Sequence, residues 1–88
     1  MRIKDGFLLR EVAGSYIVVA TGALTQEFGG IIKLNETGSF LWKKLAENTD
    51  VQALVDALTA EYDVSAEEAK KDVEAFVAML SDADILER

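Results

Sequence analysis

The sequence predicts an α+β domain in which three short antiparallel strands precede three helices, in the order βββααα. Three observations predict it. Apolar and β-branched residues follow a period of two as far as Leu34, and from Phe40 onward they recur at helical spacing. No helical segment separates the strand candidates, so they pair as an antiparallel meander with at least one open edge. Half of the 88 residues are apolar, enough to fold one small core and to exclude disorder, so one domain over residues 1–88 is expected.

The elements follow in order. Phe7, Leu9 and Glu11 alternate with Leu8, Arg10 and Val12, Ala13-Gly14-Ser15 is a turn signal, and Tyr16 to Thr21 is rich in β-branched and aromatic residues; together they make a hairpin. A longer connection bounded by Gly22 and Gly29-Gly30 leads to a third strand, Gly30 to Leu34. Asn35 is placed to cap the first helix, with Glu36 in its first turn, where a carboxylate suits the helix dipole. Phe40, Leu41 and Leu45 form its stripe with Trp42 beside them. Asn48-Thr49-Asp50 ends that helix and caps a second, whose stripe is Val51, Leu54, Val55 and Leu58 and which ends near Tyr62. Ser65 with Glu68 three residues on is a capping-box pattern opening a third helix, with Ala69, Val73, Phe76, Val77 and Leu80 as its stripe. Ile85-Leu86 reads as a short apolar tail returning to the core.

Composition narrows the function. There is no cysteine and no histidine, which removes disulfides, thiolate metal sites and the commonest general base. The N-terminal residues lack the apolar run of a signal peptide, and no stretch approaches the roughly 20 apolar residues that span a bilayer, so a soluble, cytoplasmic protein is expected. Charge is uneven: residues 1–34 carry a net +1 and residues 35–88 a net −8, for a total of −7. An acidic helical half opposes a phosphate backbone. Residues 51–61 contain no Lys or Arg, which counts against a DNA-recognition helix. Glu67, Glu68 and Asp72 could in principle hold a hard cation, but they lack the spacing of a calcium loop. No catalytic residue, metal or cofactor is expected.

Gly30-Ile-Ile-Lys-Leu-Asn-Glu-Thr-Gly-Ser-Phe-Leu-Trp42 resembles the "LNxTG…W" core of the PqqD family, and Tyr62-Asp-Val-Ser65 with Asp72-Val73, Phe76 and Leu80 resembles that family's C-terminal half. The likeness runs from about Gly6 to Leu86. It implies a winged-helix-like fold and a non-catalytic adaptor that binds the leader of a ribosomally made precursor peptide and presents it to a modifying enzyme, often a radical S-adenosylmethionine protein. It further implies that the leader adds as a strand on the third strand, in a groove against the third helix. The alternative is a winged-helix DNA-binding regulator, which the same topology allows.

On that reading the docking strand is Gly30, Ile31, Ile32, Lys33 and Leu34, and the helical side of the groove is Lys70, Glu74 and Val77; Lys71, Ala75 and Ala78 lie on other sides, and the sequence leaves the choice of flank open. Lys33 and Lys70 would suit an acidic leader residue. Phe40, Trp42, Leu45, Phe76 and Leu80 are most simply core, and Asn35 is a cap before it is a ligand contact. Glycine early in a helix costs roughly 1 kcal/mol against alanine, so Gly38 points to close approach of a neighbouring element. Asp72 reads either as an ion-pair partner or as a solvated charge, and Lys43-Lys44 as a wet helix face. Leu24 and Phe28 either fold back on the core or form a contact surface. An open edge strand also permits association of two copies, so a monomer or weak dimer is expected.

Overall fold

The computed structural model describes residues 1–21 and 31–87. Its order is β1 (Arg2–Ile3), β2 (Phe7–Val12), β3 (Ser15–Ala20), β4 (Ile31–Leu34), α1 (Glu36–Lys44), α2 (Val51–Glu61), α3 (Ala66–Asp82) and β5 (Leu86–Glu87). Strands β2, β3 and β4 form an antiparallel meander followed by three helices, the α+β arrangement that the alternating and helical periods predict. Two further strands were not foreseen. The chain ends pair with each other, Arg2 opposite Glu87 and Ile3 opposite Leu86, and exposed ion pairs from Arg2 to Glu87 (3.2 Å) and Lys4 to Asp84 (2.8 Å) flank them. The Ile3 N–H donates to the carbonyl of Leu45, which fastens this ribbon to the end of α1.

Turn chemistry sets the meander. Ala13 and Gly14, the two residues between β2 and β3, both have positive φ (52° and 81°), as a tight hairpin turn matching strand twist requires. The resulting register fixes which side chains share a face. Leu9, Val18 and Ile32 stand in one row facing the core, with Phe7 and Leu34 on the same side. Leu8, Val19 and Ile31 form a row on the opposite face, beside a second row of Arg10, Ile17 and Lys33.

The core lies between the inner sheet face and the helices. Leu41, Leu45, Leu54, Leu58, Leu80 and Ile85 are fully buried there, each contributing about 1.5–3 kcal/mol by removing its side chain from water. Trp42 is buried and meets Phe7 edge to face at 6.5 Å, which locks α1 to β2. Phe40 meets Tyr62 in the same way at 5.5 Å, joining α1 to the end of α2, and Lys44 lies over the Phe40 ring.

Each helix is capped where the sequence indicates. Asn35, Asp50 and Ser65 accept from the N–H groups of Gly38, Ala53 and Glu68. At its end α3 turns through Asp84 (φ 59°), with Asp84 N–H on the Ser81 carbonyl and Ile85 N–H on that of Leu80. This pair of bonds closes the helix and drops Ile85 into the core beside Leu80. The apolar tail read from the sequence does return to the core, in the form of a helix stop and a strand. The expected third strand is seen as Ile31–Leu34; Gly30, like Leu24 and Phe28, lies outside the described residues.

Candidate functional site: a free sheet edge beside an apolar cavity

Strand β4 pairs with β3 on one side only, and its other edge is unpaired among the described residues. In an antiparallel ladder alternate residues turn N–H and C=O to opposite sides, so two of the four residues of β4 present both groups outward. The strand is short because Asn35, directly after it and still extended (φ −82°, ψ −179°), caps the helix that begins at Glu36: its Oδ1 accepts the Gly38 N–H at 2.7 Å and its carbonyl accepts the Ser39 N–H at 2.9 Å.

At that junction β4, α1 and α3 converge. A Cβ added at Gly38 would lie 3.1 Å from Asn35 Oδ1, 3.3 Å from Leu34 Cβ and 3.4 Å from a ring carbon of Phe76. A side chain here would push these neighbours back by a few tenths of an ångström, in line with the close approach inferred from the sequence. Beside it opens a cavity of about 300 Å³ lined by Asn35, Thr37, Gly38 and Leu41 from the α1 side and by Asp72, Ala75, Phe76 and Met79 from α3. The walls are mainly apolar, and Asp72 is the one charged group on them. It makes no ion pair among the described residues, and Met79 is 37% exposed at the opening.

The residues anticipated for peptide binding divide between places. Ile31, Ile32, Lys33 and Leu34 form β4, with Ile32 and Leu34 against the core and Ile31 and Lys33 outward. Lys70, Glu74 and Val77 do not line the cavity. At about 100° per residue they fall on the flank of α3 across the buried Ala69–Val73–Leu80 stripe from Asp72, Ala75 and Met79. Neither Lys33 nor Lys70 is among the residues that line this cavity. The pattern Asp72, Ala75, Phe76, Met79 was available in the sequence as a second helical stripe, but only the position of Gly38 shows which flank faces β4. Glu67, Glu68 and Asp72 line a shallow polar cavity with Ser65 and Lys71; among the described residues no His, Cys, Asp and Glu group has the arrangement to hold a metal ion. Tyr62 has its phenol pKa raised above the ordinary 10.0, first by loss of hydration and then by the carboxylates of Glu36 and Glu61. No described helix is long and apolar enough to cross a membrane.

Residues 8–86 match the family model described as "Coenzyme PQQ synthesis protein D (PqqD)". The chain belongs to the PqqD family. Two solved structures are similar to this PqqD-family chain throughout. One is TbiB1 in complex with the TbiA(beta) leader peptide, at 25% identity and a TM-score of 0.77, covering 99% of this chain and 95% of that one. The other is lasso peptide synthetase B1 complexed with the leader peptide, at 19% identity and a TM-score of 0.73, covering 96% and 93%. The second likeness establishes the fold alone. No curated protein sequence matches significantly.

Proposed function

We propose that this PqqD-family protein is a non-catalytic adaptor that binds the leader of a ribosomally made precursor peptide as an added strand on β4 and presents it to a modifying enzyme, for which a radical S-adenosylmethionine protein is the candidate class. The observation that carries the reading is the edge of β4, unpaired among the described residues, which ends at Asn35 on the wall of the apolar cavity beside Gly38 and Phe76. The likeness to a protein solved with a leader peptide supports it.

Strand addition gains main-chain hydrogen bonds from any extended peptide, so those bonds supply affinity without sequence preference. Alternate side chains of the guest then face inward, toward the cavity, and outward. The inward position is suited to a large apolar or aromatic side chain resting on Phe76, Leu41 and Met79. A carboxylate there would meet Asp72, so the cavity selects against an acidic residue at that position. Binding is therefore assigned to Ile31, Ile32, Lys33 and Leu34 of β4 with Asp72, Ala75, Phe76 and Met79 of α3, in place of Lys70, Glu74 and Val77.

A basic recognition surface for DNA finds no support: α2 has no Lys or Arg, and the helical half of the chain is strongly acidic. Isothermal titration with the leader of the precursor encoded beside this gene tests the proposal. Micromolar or tighter binding is expected, and absence of heat with every neighbouring precursor refutes it.

A further inference from the structure

Among the described residues, three of the four large apolar side chains that stand exposed lie on one surface, the outer face of the meander: Leu8 (42%), Val12 (52%) and Ile31 (58%). Val19 and Ile17 fill the ground between them. The same face carries two cations, Arg10 and Lys33, on either side of Ile17, and neither makes an ion pair among the described residues. Every carboxylate in β2 and β4 is accounted for by Glu11, which belongs to the other face. A cationic apolar surface thus stands on a protein whose net charge is −7.

We infer that this outer face docks the modifying enzyme, through a surface of that enzyme that is apolar and rimmed by carboxylates. The inference rests on the adaptor reading above. Two features of the face select this occupant. A second copy pairing face to face would bring two sets of Arg10 and Lys33 together with no carboxylate between them, a like-charge contact that disfavours the dimer. A second copy offering its acidic helices would supply charge but little apolar surface, since Met79 is the one large apolar side chain that those helices expose among the described residues. Two cations are also too few to hold nucleic acid against the acidity of the rest of the chain.

Continuity with the β4 edge gives the face its role. A leader strand added to β4 extends the sheet, so every second side chain of the guest joins the row of Leu8, Val19 and Ile31 or that of Arg10, Ile17 and Lys33. An enzyme seated there touches adaptor and guest together. Enzyme affinity then rises when the leader is bound, and by linkage leader affinity rises equally when the enzyme is bound.

The test uses variants on β2, away from the peptide edge: Leu8→Ser with Arg10→Glu, and separately Val12→Ser. Each full-length variant is titrated with the leader alone and, with leader present, with the modifying enzyme encoded in the same gene neighbourhood. Leader affinity within twofold of wild type, with enzyme affinity lowered at least tenfold in the double variant and severalfold in Val12→Ser, is the expected result. Unchanged enzyme affinity in variants that melt like wild type overturns the inference. So does a concentration-dependent dimer of the wild type that the double variant abolishes, or binding of an RNA or DNA duplex that Arg10→Glu removes. Failure of the wild-type protein to bind the leader counts against the adaptor reading itself, so the two failures are separable.

Discussion

Replacing Asn35 by alanine isolates the joint on which the proposed docking edge depends. Asn35 Oδ1 is the acceptor for the Gly38 N–H at 2.7 Å, and Gly38 is buried between Leu34 and Phe76. Loss of an N-cap costs about 0.5–2 kcal/mol. A buried donor left without a partner costs about 1–3 kcal/mol. Both figures describe the same lost bond, so they bracket one effect, about 1.5 kcal/mol. In a domain of this size each kcal/mol lowers the melting temperature by about 4–8 °C, which places Asn35→Ala roughly 6–12 °C below wild type. Asn35→Asp keeps the acceptor and puts a carboxylate at the positive end of α1, so its melting temperature stays within about 3 °C of wild type. Circular dichroism melts of the three proteins at neutral pH decide the matter. Asn35→Ala melting within 2 °C of wild type would refute the reasoning. So would a variant of unchanged stability that no longer binds leader, because Asn35 would then be a peptide contact and not a cap.

Three further outcomes are expected. Ala13 occupies the left-handed region, which costs an L-residue with a Cβ about 1–2 kcal/mol. Ala13→Asn should therefore raise stability by about 0.5–1 kcal/mol in urea denaturation, and a lowered midpoint contradicts the turn geometry. Met79→Glu, at the opening of the cavity beside Asp72, should leave the fold intact and weaken leader binding at least tenfold by titration calorimetry, whereas unchanged affinity would move the guest away from α3. The raised phenol pKa of Tyr62 favours the neutral form in the folded state, so its contribution is fully present below pH 10 and declines as pH rises through the folded value. Ultraviolet titration should show a phenol component raised above the ordinary value, and Tyr62→Phe should abolish it.

What could be read from the sequence divides along the range of the interactions involved. The meander, the three helices and their caps follow from local rules: Asn35, Asp50 and Ser65 each accept from an N–H three residues ahead, and the two-residue turn at Ala13-Gly14 needs nothing beyond its own backbone. The core stripes were legible for the same reason, and Leu41, Leu54, Leu58 and Leu80 are fully buried. The β1–β5 ribbon was not, since two-residue strands carry no periodic signal and Arg2 and Glu87 are neighbours only after the helices have packed. The flank of α3 that lines the cavity escaped for a related reason. Lys70-Glu74-Val77 and Asp72-Ala75-Met79 lie symmetrically about one buried stripe, and periodicity gives them equal standing. The choice is made by the close packing of Phe76 over Gly38, where an added Cβ would lie 3.4 Å from the ring, across more than thirty residues of chain.

Amide hydrogen exchange of the protein with and without its leader peptide tests the central claim most directly, because the sheet provides an internal control. Both β2 and β4 are edge strands among the described residues. Strand addition on β4 predicts that outward-facing amides within Ile31–Leu34 slow markedly on leader binding, while those of Phe7–Val12 keep their rates. Leader binding that protects the β2 edge, or that protects neither strand, would contradict the account.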